Sequence, residues 1–457
     1  MKTGMTGEEI TNLGFEKLLS LGAFDCACGR RHTQGVHRVT VDYGAIRALP
    51  EYLAAIGSKK PFLLSGHDTF AAAGKSVTDV LDAAGIGYAK YVFPVSPVHP
   101  TEETVGRAVV HFDYSCDAVV GIGSGVVNDT GKILARATGR EYIIVAAAPS
   151  MDGFVSATSS MDIDSLKVSL PSKAPWGVIG DLDILCAAPM ELLQAGVGDM
   201  LAKLTSLAEW KIAQIITDEY YCPTVAALTD KAVHDVIDRA PDLLRRDGEA
   251  ARSVMQGLII AGAAMNYAGL SRPASGTEHY FSHIWDMRAL CFDDAKSALH
   301  GTQAGIGTLY TLRGFEAFRK LVKKPDREKA LAYVRNFSPE DWNERLRDFI
   351  GAGAEAMIEG ERRERKYDLR KHEKRLARIE EKWDEICAVI DALPSSESVE
   401  KLMTSLNMPT SAGRIGYDNA SLRNCFIMSK DIRDKYVSTR LYWDLGVLDE
   451  VADAVFG

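Results

Sequence analysis

Hydrophobic residues in the first part of the chain form short continuous runs that end in glycine, proline or acidic residues. A run without polar alternation is typical of a strand that is buried on both faces of a parallel sheet. Stretches of helical composition separate the runs, and this alternation predicts an α/β domain with helices on both faces of the sheet. The predicted strands are 61–65, 88–94, 117–122, 141–148 and 176–181, and the predicted helices between them are 71–84, 102–112 and 129–138.

After about residue 185 the pattern changes to long helical stretches with few β-branched alternating runs. We therefore place a domain boundary there and predict an α/β domain at 1–185 and an all-helical domain at 186–457. A densely charged stretch at 341–393 mixes both signs, which favours solvated helix faces; a basic patch for a polyanion is the alternative. The helices predicted after the boundary are 187–216, 223–246, 249–270, 298–322 and 327–337.

Composition narrows the class of protein. The chain has 457 residues, of which 46% are hydrophobic and 25% charged, as in ordinary globular proteins. Its 53 basic and 62 acidic side chains give a net charge of −9, which repels phosphate, so we expect no nucleic-acid partner. The most apolar helical stretch, 254–270, contains Gln256 and Asn266 and falls short of a span of ~20 residues. We expect a buried helix there and no membrane insertion.

The N-terminus and the cysteines indicate a compartment. The first residues carry acids and lack an apolar core, so they do not resemble a signal peptide. Eight cysteines scattered along a chain of this length are too sparse for a disulfide scaffold. We therefore expect reduced thiols and a cytoplasmic protein.

Two loops follow predicted strands directly. The segment GIGSGVVNDTGK (121–132) follows the third predicted strand and begins a helix. Glycines there let the backbone approach a pyrophosphate, and the N–H groups of a helix N-terminus attract its charge, although many such clusters are only tight turns. The segment AAAPSMDG (146–153) follows the next strand, and its Asp152-Gly153 is either a ligand contact or a simple turn.

Three histidines and an aspartate are candidate metal ligands. His279 and His283 are four residues apart and share one helix face, and His300 follows after a short interval. With Asp199 at the start of another helix, two imidazoles and a carboxylate suit a divalent ion that keeps an open position. Structural histidines are the alternative, and spacing alone does not bring Asp199 to them.

The segment Cys26-Ala-Cys28-Gly-Arg-Arg-His32 is a second metal candidate. It offers two thiols and an imidazole to a soft metal. A structural zinc site takes four ligands, usually with two to four residues between its cysteines, so this motif is incomplete by itself.

Together these motifs resemble the sn-glycerol-1-phosphate dehydrogenases, especially the bacterial form, within the metal-dependent alcohol, glycerol and dehydroquinate enzymes. The resemblance covers nearly the whole chain. It implies a Rossmann-like NAD(P)-binding domain at 1–185, a helical metal- and substrate-binding domain at 186–457, and a homo-oligomer, a dimer or larger. The activity it implies is the reversible reduction of dihydroxyacetone phosphate to sn-glycerol 1-phosphate. It rests on FDCACGRRH, GIGSGVVNDTGK, APSMDGF, GDLDIL, AGVGDMLAKLTSLAEWK, SRPASGTEH, FSH, ALHGTQAGIG, IRDKY and TRLYWDLGVL.

The resemblance also implies roles for single residues. The residues that match the cofactor-binding loops are Gly123, Ser124, Gly125, Asp129 and Ser150. The residues that match the metal ligands, which are also catalytic, are Asp199, His279 and His300. Asp152 matches an acid on the hydroxyl side of the substrate. To these we add three predictions of our own: His283 relays a proton or is packed in the core, and Lys203 and Arg272 bind the substrate phosphate or are helix-surface charges.

The chain departs from the family pattern at a few positions. The iron-using branch has a histidine where Lys203 stands, so three protein ligands and zinc or nickel are indicated. Relatives often carry Pro-Thr where Ala146 and Ala147 stand, which removes one hydrogen bond to the cofactor. Gly66 replaces an acid that binds the adenosine ribose, so NADPH is expected beside NADH. A glycerol or polyol dehydrogenase, another member of the superfamily such as a cyclising lyase, and a catalytically silent binding protein are the alternative functions.

Overall fold

A six-stranded parallel sheet forms the centre of the N-terminal part in a computed structural model that describes residues 5–163, 166–292 and 298–457. The strands of the chain are β1 (Ala23–Asp25), β2 (Arg31–Thr33), β3 (Arg38–Asp42), β4 (Pro61–Gly66), β5 (Ala89–Phe93), β6 (Ala118–Gly123), β7 (Glu141–Ala146), β8 (Thr158–Ile163), β9 (Leu166–Pro171) and β10 (Gly177–Asp181). Their order in the sheet is β3-β10-β7-β6-β4-β5, and β1 with β2 and β8 with β9 form two small separate sheets.

The predicted α/β class and all of the predicted strands are confirmed. Strand β3 was not predicted, because the prediction relied on continuous apolar runs. Its sequence RVTVD alternates instead, and it lies at the sheet edge with mostly half-buried side chains. With β3 counted, the GIGSG motif follows the fourth strand of the sheet, so its predicted position after the third strand was wrong. The small sheets were also missed, because three-residue strands such as β1 and β2 leave no periodic signal.

The order of the strands creates a natural binding position. The chain runs from β4 outward to β5 and then crosses back to β6, so β4 is flanked by β5 and β6. Connections that leave neighbouring strands in opposite directions open a crevice at the carboxyl ends, which is where α/β sheets bind ligands. At this crevice β4 ends at Gly66 and β6 ends at Gly123.

Most of the remaining chain is helical. The helices are α1 (Gly7–Thr11), α2 (Phe15–Ser20), α3 (Leu49–Ala55), α4 (His67–Thr69), α5 (Lys75–Ala83), α6 (Glu102–Val110), α7 (Gly125–Thr138), α8 (Leu182–Leu185), α9 (Met190–Thr217), α10 (Pro223–Arg239), α11 (Gly248–Ala268), α12 (Thr277–Cys291), α13 (His300–Leu321), α14 (Arg327–Arg335), α15 (Pro339–Ile350), α16 (Ala354–Glu364), α17 (Leu369–Glu381), α18 (Trp383–Asp391), α19 (Ser396–Ser405), α20 (Asn419–Met428), α21 (Ser438–Asp444) and α22 (Leu448–Phe456). Short 3-10 or π turns lie at Ala45–Ala48, Phe70–Gly74, Asp152–Phe154, Ala240–Arg245, Gly351–Gly353, Ala412–Ile415 and Ser429–Asp431.

The chain contacts divide the molecule into two compact units. One contains the six-stranded sheet, Val168–Met200 and Pro223–Ser271, and the other contains Leu201–Cys222 and most of Arg272–Gly457. The change of composition near 185 coincides with the end of the last strand, Asp181, whereas α10 and α11 group with the sheet. The domain boundary at 185 therefore stays a prediction from composition.

The charged stretch at 341–393 forms amphipathic helices. Leu346, Ile350, Leu376 and Ile379 are buried in the helical core, while the charged positions between them are mostly exposed. The predicted solvated helix faces are thus present. In the part of the chain that the structure describes, no helix combines the length and apolarity that crossing a membrane requires.

Candidate active site

Three candidate ligands converge. One ligand atom from each of Asp199, His279 and His300 lies within 4.8 Å of the other two. Asp199 is fully buried on α9, His279 is buried on α12, and His300 is the first residue of α13. One carboxylate and two imidazoles are a donor set that zinc or nickel accepts while keeping an open position. These residues therefore fit a divalent ion by their chemistry.

A backbone N–H group of the loop after β7 orients Asp199. The Asp152 N–H donates to Asp199 Oδ2 at 2.8 Å. This contact depends on a close approach, because a Cβ on Gly196 would lie 2.0 Å from the Pro149 carbonyl oxygen and 2.8 Å from Val254. Gly196, three residues before Asp199, therefore lets α9 pass against the loop that carries Asp152.

A buried carboxylate orients His279. Glu278 Oε1 lies 2.9 Å from His279 Nδ1, and the Thr205 hydroxyl donates to Glu278 Oε2 at 2.8 Å. Burial opposes the charge of Glu278, but hydrogen bonds from His279 and from the Gly276 N–H outweigh it and hold its pKa below the usual value. An ionised carboxylate accepts the Nδ1 proton, and the Nε2 lone pair then remains for a metal.

A chain of hydrogen bonds orients His300 in the same way. Gln303 Nε2 donates to Asp286 Oδ1 at 3.1 Å, which turns its Oε1 toward the Ser282 hydroxyl at 2.7 Å. Ser282 Oγ therefore donates to Gln303 and accepts from His300 Nδ1, 3.2 Å away. The proton is fixed on Nδ1, so Nε2 of His300 is again the available donor atom.

A second buried carboxylate fixes the start of α12. Glu209 accepts hydrogen bonds from the Thr277 N–H at 2.8 Å, the Thr277 hydroxyl at 2.6 Å and the Ser438 N–H at 2.8 Å. Burial and the charge of Glu278 raise the pKa of Glu209. Sequence reasoning missed both glutamates. The available signal was an acid next to Trp210 in an apolar helix and an acid directly before His279.

The glycine motif combines a helix N-terminus with close packing. Strand β6 ends at Gly123, Ser124 is the N-cap, and the 14-residue helix α7 begins at Gly125. A Cβ on Gly123 would lie 2.6 Å from Val127 Cβ, whereas one on Gly125 would make only ordinary contacts. Gly123 is thus required by packing, and the N–H groups of the first turn of α7 point to the carboxyl end of the sheet.

Side chains of α7 hold the neighbouring loop. Asn128 Nδ2 donates to the Gly153 carbonyl at 2.9 Å, and Lys132 Nζ donates to the same oxygen at 3.1 Å. Asp129, predicted to bind the cofactor, forms an ion pair with Lys132 at 2.8 Å and accepts the Ser160 N–H at 3.2 Å. The Asp129 carboxylate therefore connects α7 to β8. The sequence analysis did not identify Asn128 and Lys132 as residues that hold this loop.

The other predicted residues lie in different surroundings. Ser150 is buried in the loop after β7, and Lys203 is buried on α9 one turn after Asp199. Burial and nearby cations hold the pKa of His283 well below its usual value. Arg272 is buried, with a bidentate ion pair to Glu219 and a 2.8 Å bond from Nη1 to the Tyr436 carbonyl. A phosphate would have to displace these partners of Arg272.

Comparisons with known proteins identify relatives of this chain. Residues 40–189 match the family model described as iron-containing alcohol dehydrogenase. Two proteins named glycerol-1-phosphate dehydrogenase [NAD(P)+] are similar: one from Bacillus licheniformis at 32% identity, over 64% of this chain and 73% of its own, and one from Halalkalibacterium halodurans at 28%, over 84% and 86%.

Solved structures share the fold. A probable glycerol dehydrogenase from Sinorhizobium meliloti aligns with a TM-score of 0.60 at 16% identity, over 93% of this chain and 99% of its own. An iron-containing alcohol dehydrogenase from Corynebacterium glutamicum aligns with a TM-score of 0.60 at 17% identity, over 92% and 96%. By its similarity to the Bacillus licheniformis protein, the chain belongs to the glycerol-1-phosphate dehydrogenase family.

Proposed function

We propose that this chain catalyses the reversible reduction of dihydroxyacetone phosphate to sn-glycerol 1-phosphate with NADH or NADPH. The observation that carries the proposal is the convergence of Asp199, His279 and His300 in a chain whose relatives bear the name glycerol-1-phosphate dehydrogenase. The intact set of ligands, with hydrogen bonds that orient both imidazoles, argues against a catalytically silent homologue.

Asp199, His279 and His300 would hold one divalent ion, zinc or nickel, and the bound ion supplies Lewis-acid polarisation of the substrate oxygens. The chain supplies the orientation. Glu278 and Ser282 fix the Nδ1 protons of the two imidazoles, and the Asp152 N–H fixes one oxygen of Asp199. Because these contacts are made within the protein itself, they hold the three donor groups in place, and little reorganisation is needed on binding.

The loop around Ser124 would bind the pyrophosphate of the cofactor, which supplies the hydride. Support comes from its place at the carboxyl end of β6, next to the point where the strand order reverses, with the first turn of α7 behind it. We assign contacts to Gly123, Ser124, Gly125 and Ser150. Gly66 offers no carboxylate to repel a 2′-phosphate, which is why both cofactors are proposed.

The remaining residues would bind and protonate the substrate. Lys203 and Arg272 would bind the phosphate, and Arg272 would exchange its bonds to Glu219 and to the Tyr436 carbonyl for it. Asp152 would contact the hydroxyl side, because its own N–H is bonded to Asp199. The half-buried His283 would accept the hydroxyl proton during oxidation and return it during reduction.

The substrate assignment is tested by comparing phosphorylated and unphosphorylated triose. Metal-supplemented enzyme is assayed with dihydroxyacetone phosphate and with dihydroxyacetone, using NADH and NADPH, and the product is analysed for chirality. We expect turnover of the phosphorylated triose and sn-glycerol 1-phosphate as the product. Faster turnover of dihydroxyacetone would indicate a glycerol dehydrogenase, and sn-glycerol 3-phosphate as product would contradict the proposal.

A cytoplasmic location and a homo-oligomer, a dimer or larger, complete the proposal. All eight cysteines are thiols, as is usual in a reducing compartment. Light scattering on the purified protein measures the assembly, and a monomeric mass for active enzyme would contradict the second point.

A further inference from the structure

We propose that Cys26, Cys28, His32 and Cys222 bind a structural zinc ion. One ligand atom from each of the four residues lies within 4.8 Å of the others. Donor atoms around a tetrahedral zinc with Zn–S of ~2.3 Å are about 3.8 Å apart, so three sulfurs and a nitrogen already lie near the spacing of a single ion. These residues take no part in the proposed reaction, and the two proposals fail or succeed separately.

The first two cysteines lie in a tight turn between β1 and β2. The Cys26 N–H donates to the Arg30 carbonyl at 3.0 Å, and the Gly29 N–H donates to the Cys26 carbonyl at 3.0 Å. Gly29 has a φ of +83°, a left-handed conformation that glycine adopts without strain. The turn is therefore fixed by its own backbone and returns the chain to His32 on β2.

His32 has the orientation of a metal ligand. Its Nδ1 lies 2.6 Å from the Tyr267 carbonyl oxygen, which can only accept, so Nδ1 carries the proton. The Nε2 lone pair is then left on the side of Cys28, whose Sγ lies 3.3 Å away. A ligating histidine typically donates its other N–H to a carbonyl or carboxylate in this way. His32 is fully buried, and its ring packs on Phe24 with the centroids 4.9 Å apart.

Cys222 supplies the donor that the sequence motif lacks. It is buried and directly precedes Pro223, the first residue of α10, and the next residue, Thr224, accepts a hydrogen bond from Cys26 at 3.5 Å. Three thiolates and one imidazole complete a closed set of four, as in structural zinc sites, whereas catalytic sites keep an open position. Zinc would therefore link the N-terminal hairpin to the start of α10, and its binding would release the thiol protons to solvent.

Cobalt substitution distinguishes this site from the catalytic one. Thiolate ligands give cobalt(II) an intense sulfur-to-metal charge-transfer absorption, and Asp199, His279 and His300 contain no sulfur. We expect this absorption in the cobalt-loaded wild-type protein and in His279→Ala. We expect its loss in Cys28→Ser and Cys222→Ser, and its retention in Cys186→Ser, a half-buried cysteine outside the cluster.

Zinc content gives a second readout. We expect His279→Ala, purified from zinc-containing medium, to retain one zinc per chain that Cys28→Ser in the same background loses. If the cysteine variants fail to fold, the wild-type spectrum decides. Wild-type protein without thiolate-to-cobalt absorption, zinc that survives loss of Cys28 and Cys222 together, or iron–sulfur absorption would each overturn the proposal.

Discussion

At the scale of single residues, the site is defined by groups that fix protons as much as by the ligands themselves. Glu278 accepts from His279, and Ser282 accepts from His300, so both imidazoles present Nε2. A neutral histidine in water exchanges between two tautomers, and fixing the proton on Nδ1 in advance raises metal affinity. The buried polar side chains of α9, α12 and α13 thus have a role: they orient the metal ligands or fix the helix that carries them. They are Glu209, Glu278, Ser282 and Gln303.

His279→Ala tests the ligand set. Since two protein ligands rarely hold a divalent ion in an open site, we expect the bound catalytic metal and the reduction of dihydroxyacetone phosphate to be lost together. Metal analysis and steady-state kinetics measure both. His234→Ala is the control, because His234 is exposed on α10. A His279→Ala protein with wild-type activity would refute the assignment.

Ser282→Ala removes the acceptor of the His300 Nδ1 proton without touching a ligand. We expect metal affinity to fall roughly 10–100-fold, the usual effect of deleting such a partner. Competition with a chromophoric chelator measures the affinity, and Ser405→Ala, an exposed serine on α19, is the control. Equal affinities in the two variants would show that Ser282 does not orient His300.

Gly66→Asp tests the ribose contact. The residue is extended, with φ −78° and ψ 164°, and an added Cβ would come no closer than 3.4 Å to Val98. The new carboxylate should repel a 2′-phosphate and raise the ratio of kcat/KM for NADH to that for NADPH by about tenfold or more. Gly66→Asn controls for size. An unchanged ratio would place the ribose elsewhere.

At the scale of elements, the packing of α7 on the sheet depends on Tyr142. This fully buried tyrosine on β7 occupies space left by two glycines, since a Cβ on Gly121 would lie 2.2 Å from Tyr142 Oη and one on Gly131 would lie 2.6 Å from its ring. The hydroxyl has no hydrogen-bond partner among the described residues. Some glycines of the motif are therefore required by packing alone, apart from any cofactor.

Gly121→Ala should therefore destabilise the protein by about 1–3 kcal/mol, as overpacking of a buried site does. Because the nearest atom is the hydroxyl, Tyr142→Phe should recover most of that loss and should by itself be neutral or stabilising by about 1 kcal/mol. Urea unfolding of the four proteins in this double-mutant cycle measures the coupling. Additive effects would contradict the contact.

A buried charge cluster in the helical region should make stability depend on pH. Burial and the charge of Asp431 raise the pKa of Glu361 to about 7, and burial lowers the pKa of Lys430 to about 8. Trp342 Nε1 donates to both carboxylates, at 3.2 Å to Glu361 and 3.1 Å to Asp431. A carboxyl group with a raised pKa stabilises the fold only while it is protonated.

The contribution of Glu361 is thus complete below pH 4.5, its unfolded value, and is lost as pH rises through about 7. Relative to Glu361→Gln, the wild-type free energy of unfolding should fall by as much as about 3 kcal/mol across this interval. Chemical unfolding of both proteins at several pH values measures the difference, in which the carboxyl groups that do not interact with Glu361 cancel. A constant difference would contradict the raised pKa.

At the scale of the whole molecule, the sequence predicted what depends on local patterns. Continuous apolar runs identify β4, β6 and β7, since a strand buried on both faces needs no alternation. The edge strand β3 was missed because it pairs with β10, which is distant in sequence, and the hairpin of β1 and β2 was missed because its strands are only three residues long. The same limit applies to the site: His279 and His283 are visible as a pair, whereas Glu209 and Cys222 acquire their partners only on folding.

Only the folded structure shows which charged side chains are paired within the protein. Asp129 and Arg272 have the residue types expected of ligand contacts, yet their charges are bonded to Lys132 and Glu219. No periodicity or motif distinguishes a charge that is available to a ligand from one that is paired in the core.

The most direct test of the account is the anomalous scattering of the metal in a crystal of active enzyme, recorded on both sides of the zinc and nickel absorption edges. The account predicts a peak about 2.0–2.2 Å from one oxygen of Asp199 and from Nε2 of both His279 and His300. Active crystals without a peak at these three side chains would contradict it.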